Sequence, residues 1–406
     1  MTINSKLAIV TQRIQDRSKC SRKAYLDDIQ KNIRPGPRRK KLSEGNVAHA
    51  SAACPILEKT ELLGAKWANI GIITAYNDML SAHQPFARFP DLIKHAARRN
   101  GATAQVAGGV PAMCDGVTQG QDGMELSLFS RDIIAYSTAI ALSHDMFDAA
   151  IHLGVCDKIV PGLLIGALRY GYIPQIFAPA GPMPSGIPNP EKIKIRQLFA
   201  EGKVGREELL AVESASYHAP GTCTFYGTAN TNQMLMEIMG LQLPGASFVH
   251  PNTPLRDAIT AQTTRRAVQM TDISGNSTPI GHIINEKAIV NGLVGLMATG
   301  GSTNLTIHMI AIAAAAGIII NWDDFSDIAE VVPLICRIYP NGVSDINHFH
   351  AAGGMSYLIR ELVDSKLVHT DVKTVAGDGG LIAYTLEPMK NTHAEPDAVL
   401  YREGPK

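Results

Sequence analysis

The stretch Ala149-Ala-Ile-His-Leu-Gly-Val-Cys-Asp-Lys158 decides how this chain is read. Its first seven residues are nearly all apolar, as in a strand buried on both faces. It stops on a thiol, a carboxylate and an amine in consecutive positions. A strand end turning into a loop can aim such neighbours at different partners. The thiolate of Cys156 suits a soft iron or zinc centre, and the carboxylate of Asp157 suits a hard cation such as magnesium. The plainer alternative is a buried cysteine followed by a surface Asp–Lys pair.

Working outward, the same pattern recurs. Asn69-Ile-Gly-Ile-Ile-Thr74 is an apolar strand ending in Ala-Tyr-Asn-Asp78, with His83 close by. Ala102 to Ala107 is another, and Tyr172 to Phe177 a further one that ends in a Pro/Gly-rich segment reaching Gly186. Met124 to Ser143 has helical length. Buried strands alternating with helices predict an α/β fold, a largely parallel sheet flanked by helices. Ligands in such sheets bind beyond the strand carboxyl ends, where the polar, Gly-rich and Cys-bearing segments fall. Residues 187–212 read as charged surface helices. Leu305 to Ile320 is an apolar run containing His308. It is shorter than the ~20 residues a membrane span needs, so it reads as a buried helix. Asn321-Trp-Asp-Asp324 reads as an acidic loop, and Pro388 to Lys406 shows no clear element. The expected division is a helical arm over 1–65, available for subunit contact, an α/β domain over 66–385, and a linker over 386–406.

Charge excludes several classes. The chain has 406 residues, with 37 Lys+Arg against 37 Asp+Glu. High hydrophobic content at zero net charge excludes intrinsic disorder, and the balance argues against a nucleic-acid footprint. The basic run Arg34-Pro-Gly-Pro-Arg-Arg-Lys-Lys41 is therefore expected as a solvated arm or subunit contact. The first residues carry no signal-peptide core, so a cytoplasmic protein is expected. Six cysteines stand apart, with no zinc-ribbon spacing.

Three further segments carry chemistry. Gly108-Gly-Val-Pro-Ala-Met-Cys-Asp-Gly116 opens a long Gly-rich loop, and such loops inside compact domains are usually functional. It presents Cys114 and Asp115; Asp115 is a hard-metal ligand or a turn-former. Pro220-Gly-Thr-Cys-Thr-Phe-Tyr-Gly-Thr-Ala-Asn-Thr-Asn232 sets Cys223 among hydroxyl and amide residues that can hydrogen-bond cluster sulfurs or substrate oxygens. A helix cap beside an incidental cysteine is the alternative. Thr299-Gly-Gly-Ser-Thr-Asn304 opens a helix whose free N–H groups can take a phosphate or carboxylate. Gly300, Gly301, Ser302, Thr303 and Asn304 are thus substrate-binding candidates, against a simple capped turn. A nucleotide loop is absent from this pattern.

Together these segments resemble the family of dihydroxy-acid and sugar-acid dehydratases, most closely its phosphogluconate branch. The strings that carry the likeness are TAYNDMLSAHQPF, QVAGGVPAMCDGVTQGQDGMELSL, LGVCDKIVPG, SYHAPGTCTFYGTANTNQM, LPGASFVHP, ATGGSTN and INWDDFSD. The resemblance implies a hydro-lyase of carbohydrate metabolism. It would convert 6-phospho-D-gluconate to 2-dehydro-3-deoxy-6-phospho-D-gluconate in the Entner–Doudoroff pathway of gluconate utilisation. It implies a homodimer holding an iron–sulfur cluster, of the 4Fe-4S type, with one open iron, and a magnesium or manganese ion. Cys156 and Cys223 match the family's cluster ligands, and Asp115 and Asp157 its cation ligands. Lys158 matches a lysine that is carbamylated in some relatives and then also binds the cation; Asp157 and Lys158 are thereby expected at the catalytic centre. Relatives acting on branched-chain precursors carry a third ligand cysteine where this chain has Ala82. The third ligand therefore lies between Cys114 and His83. Cys20, Cys54 and Cys336 are expected to be ordinary thiols. In the family a serine base and a glutamate ligand come from a β-rich second domain, and neither has a matching position here. The expectation is a chain inactive by itself, either part of the enzyme or a cluster-binding fragment that does not turn over. A zinc hydrolase using Cys156 and Asp157 is a more distant reading.

Overall fold

The computed structural model describes residues 3–391 and 398–405. From the start come α1 (Ser5–Asn32), α2 (Glu44–Ala52) and α3 (Ile56–Gly64). Then β1 (Ala68–Thr74), α4 (Phe89–Arg99), β2 (Ala102–Gly109), a short α5 (Asp115–Thr118), α6 (Ser127–Leu142), β3 (Ala149–Leu153), α7 (Ile159–Arg169) and β4 (Gln175–Phe177) alternate. These four strands form one sheet in the order β2-β1-β3-β4. Every pairing in it is parallel, with Ile72 beside Val106 on one side and Ile151 on the other. Ile70, Ile72, Ile73 and Ile151 are fully buried, as expected where helices cover both faces.

The helices seat by simple devices. In α4, Phe89, Ile93, Ala96 and Ala97 are buried at helical spacing, after a proline in the first turn. α6 and α7 touch closely because α7 has glycines where they meet. A Cβ on Gly162 would lie 2.7 Å from the Arg131 carbonyl, and one on Gly166 2.6 Å from that of Ala135.

The rest is mainly helical: α8 (Asn189–Ala200), α9 (Arg206–Ser216), α10 (Thr228–Ile238), α11 (Pro254–Gln269), α12 (Ile280–Ile283), α13 (Glu286–Ala298), α14 (Asn304–Ala315), α15 (Trp322–Ala329), α16 (Ile346–Ala351) and α17 (Gly354–Asp364). The apolar run from Leu305 ends its helix at Ala315, because Gly317 turns the chain at φ +73°. No described helix is long and apolar enough to cross a membrane.

Four expectations need correcting. The expected helical arm is helical but packs within the domain: Leu7, Val10 and Ile14 are buried in the main core, and α1 lies against α13 and α15. Arg22 of α1 donates to the carbonyls of Ala316, Gly281 and Ile284 at 2.7–2.9 Å. Of the basic side chains in the run, only Lys40 and Lys41 are exposed. Arg38 pairs with Asp145, and Arg39, 1% exposed, pairs with Asp148 at 3.2 Å and donates to the carbonyls of Leu62 and Trp67. Two carboxylates just before β3 absorb that charge. The acidic "loop" is the first turn of α15: Asn321 accepts from the Asp324 N–H while Asp324 accepts from the Asn321 N–H, a capping box. Finally, β5 (Leu386–Lys390) and β6 (Val399–Glu403) pair antiparallel beside α11. Residues 392–397 and 406 of the expected linker lie outside the described residues.

Candidate functional site

The sheet reverses its winding at β1. β2 is added on one side and β3 on the other, so Thr74 and Leu153 end side by side. A crevice beyond strand ends at such a reversal is where α/β sheets bind ligands. The segments after β1, β2 and β3 all enter it.

Cys156 stands two residues past Gly154, where the chain turns from β3 into α7. Its φ is +72°, a left-handed conformation that a residue with a side chain holds only under constraint from its surroundings. Its buried thiol neighbours that of Cys114, which arrives on the loop after β2. That neighbour, together with the backbone N–H groups of Gly116 and Val117, brings the Cys114 thiol down to about 6. The same pairing, with burial, drives Cys156 well above its ordinary value. Cys223 approaches from a third direction, close enough to interact electrostatically with both, and burial pushes it up to about 11. Its loop is fixed by Gly221, at φ +136°, whose N–H donates to the Ser81 carbonyl at 2.7 Å. A Cβ at Gly221 would lie 2.3 Å from the Met183 nitrogen, so only glycine allows this approach. Among the described residues no three His, Cys, Asp or Glu side chains close around a single metal ion. The three thiols are soft donors brought in by three separate segments, the donor chemistry that an iron–sulfur cluster takes.

Beside the thiols, Lys158 sits between two carboxylates. Its ammonium donates to Asp115 at 2.7 Å and to Asp157. Burial lifts Asp157 to about 6, helped by the neighbouring Asp115. Burial also opposes ionisation of Asp115, but bonds with Asp157, Lys158 and Ser127 outweigh it and hold its carboxyl below its ordinary value. Lys158 is likewise opposed by burial, and its two carboxylate partners raise it. Two carboxylates around one positive charge make an oxygen-donor set of the kind hard cations take.

The ATGGSTN segment reaches the same place. Asn304, the first residue of α14, donates to Asp157 Oδ1 at 2.7 Å. Ser302 bonds the Thr228 hydroxyl at 2.7 Å, and its N–H donates to Thr231. Gly300, at φ +56°, turns the chain, and its carbonyl accepts from Asn341. Thr303 is exposed at the helix start, and Gly301 lies against Thr231.

Residues 67–380 match the family model described as dihydroxy-acid/6-phosphogluconate dehydratase N-terminal. The chain belongs to this dehydratase family. It is 62% identical over 397 residues to the phosphogluconate dehydratase of Pseudomonas aeruginosa, covering 98% of this chain and 64% of the relative. It is 61% identical over 387 residues to that of Rhizobium meliloti, covering 95% and 64%. The Escherichia coli K12 enzyme is 59% identical over 402 residues, 99% and 66%. The chain thus spans about two thirds of the length of the curated relatives it matches.

In this dehydratase chain both candidates for a third thiol-side ligand come close to Cys156. Cys114 interacts with its thiol. His83 is fully buried, with its Nε2 3.1 Å from the carbonyl of the preceding Val155 and its Nδ1 without a partner. Ala82 is buried in the core. The sequence reading missed Ser127, which donates to Asp115 Oδ1 at 2.6 Å from the start of α6; one of three serines in that helix, it gives no signal of its own. It also misassigned the amides of Asn230 and Asn232. Those were expected on cluster sulfurs or substrate oxygens, but both are spent on backbone carbonyls. His308, on α14, lies near this group with its Nδ1 3.3 Å from Arg131 and its Nε2 unpartnered.

Proposed function

We propose that this chain carries the cluster- and cation-binding part of a phosphogluconate dehydratase, acting on 6-phospho-D-gluconate to give 2-dehydro-3-deoxy-6-phospho-D-gluconate. One observation carries the reading. Three cysteines from three loops converge at the winding reversal of the sheet, next to two carboxylates joined by Lys158. The names of the relatives, at about 60% identity, support the substrate.

Cys114, Cys156 and Cys223 would hold the iron–sulfur cluster, and Asp115 and Asp157 the divalent cation, with Lys158 as a further ligand if carbamylated. When bound, these groups supply an open iron as Lewis acid toward the C3 hydroxyl and a cation that stabilises charge developing beside the carboxylate. The chain's own residues do the rest. Asn304 fixes one oxygen of Asp157, and Ser127 fixes one of Asp115. At the start of α14 the N–H groups of Gly301 and Ser302 are already held by Leu296 and Thr231, so the exposed Thr303 is what would meet an anionic end of the substrate.

The same reading includes a cytoplasmic homodimer without nucleic-acid partners. Phe129, Ile133, Tyr136 and Ile140 form an exposed apolar stripe along α6, a face suited to a second copy. Arg38 and Arg39, the centre of the basic run, are already taken by Asp145 and Asp148.

The test is purification without oxygen, followed by assays of iron, acid-labile sulfide and zinc. Iron with sulfide is expected; zinc without sulfide would overturn the cluster assignment. Supplying 6-phosphogluconate and magnesium or manganese then asks for turnover. Product would place the whole reaction within these residues. Bound cluster without product would confine them to the binding role.

A further inference from the structure

The polar residues of α10 at the thiol site do not face the ligands. Asn230 and Asn232 are both fully buried. Asn232 Nδ2 donates to the carbonyl of Cys156 at 3.0 Å and to that of Asp157 at 2.8 Å. Its Oδ1 takes no donor, so the amide serves purely as a two-pronged donor. Asn230 Nδ2 donates to the carbonyls of Cys223 at 2.8 Å and Phe225 at 2.7 Å. Its oxygen accepts from the Thr222 hydroxyl. Two positions apart on one helix, these amides grip the backbones of two different cysteine loops.

A peptide unit is planar, so a carbonyl held in place fixes the whole plane. Asn232 thereby settles the Cys156–Asp157 and Asp157–Lys158 planes, and His83 faces the carbonyl of the plane before them. Cys156 sits between held planes at its left-handed φ. Asn230 likewise holds the Cys223–Thr224 and Phe225–Tyr226 planes. We propose that Asn230 and Asn232 are positioning residues: a bracket on α10 that sets Cys156 and Asp157 against Cys223, so the thiols stand at ligand spacing before any metal arrives. This rests on the proposed ligand role of the cysteines, yet the bracket is readable in the metal-free chain.

The experiment compares Asn232→Ala and Asn230→Ala with the parent chain, stripped of metal, reduced and kept without oxygen. Folding is followed by far-ultraviolet circular dichroism. Alkylation rates of Cys156 and Cys223 are followed separately by peptide mass spectrometry. Asn232→Ala is expected to speed alkylation of Cys156 about thirtyfold, the order of two lost buried hydrogen bonds, with Cys223 little changed. Asn230→Ala is expected to do the reverse. Equal acceleration of both thiols in either variant, or none, would overturn the bracket, because general loosening does not choose between loops. Should an alanine variant not fold, Asn232→Ser and Asn230→Ser, which keep one donor, are read the same way with smaller effects. Reconstitution then gives a second reading: visible circular dichroism of the bound cluster is expected to change in the variants. A parent chain that binds no iron and sulfide would refute the cluster assignment while leaving the alkylation result standing.

Discussion

Asn304 and Asp157 lie 147 positions apart in the chain, yet the amide of one donates to the carboxylate of the other at 2.7 Å. The first residue of α14 thus holds a carboxylate on the turn between β3 and α7. Replacing Asn304 by Ala leaves that oxygen free to rotate. Affinity for manganese, read by titration in an electron paramagnetic resonance tube, is expected to fall about tenfold, the scale of a hydrogen bond to a charged group. Unchanged affinity would remove Asp157 from the proposed cation site.

Cys156→Ser keeps a small buried side chain but removes the soft donor. The variant is expected to fold and to lose nearly all iron and sulfide. Cys20→Ser, changing an exposed thiol, is expected to retain both. Equal metal content in the two variants would contradict the assignment of ligands.

Arg39 and Asp148 form a pair buried to within a few per cent of complete. Arg39→Met leaves Asp148 in the interior without its countercharge. A loss of about 3 kcal/mol is expected, because breaking one side of a buried pair strands the other charge. Urea unfolding measures it; a loss under about 0.5 kcal/mol, typical of surface substitutions, would show the pair to be incidental.

Asp324 gives the pH dependence. Burial alone would raise its carboxyl, but bonds from Arg17, the Asn321 N–H and Arg13 hold it below its ordinary 3.8. A carboxyl lowered in the folded state binds its proton less tightly there than in the unfolded chain. Its contribution is therefore complete above about 4 and fades as the pH falls through the lowered value. The stability gap between the parent and Asp324→Asn is expected to be flat from pH 5 to 7 and to narrow below about 4. A gap widening with acid would reverse the sign.

Much of this was legible in the sequence. The strands at Ala68–Thr74 and Ala149–Leu153 are mainly apolar runs cut off by polar or glycine residues, and burial on both faces forces that pattern; the edge strand at Ala102–Gly109 is more polar and half exposed. Cys114, Asp115, Cys156, Asp157, Lys158 and Asn304 meet because each sits just past a strand or at a helix start. What stayed hidden depends on distant partners. Arg38 and Arg39 look solvated until Asp145 and Asp148 are folded against them. Pro388 hides a strand that needs only one neighbour. The amides of Asn230 and Asn232 look like ligand-facing groups, because a sequence does not show that a carbonyl 76 positions away already requires one of them.

The docking of α1 bears on how the molecule is made. Thr11 meets His369 across 358 positions, and Arg22 meets Ala316 across 294. On a ribosome working at about 10 residues per second, α1 therefore waits roughly half a minute for its seat. Throughout that time Leu7, Val10 and Ile14 form an uncovered greasy edge on the nascent chain. The α/β core must be complete before its own first helix can close over it.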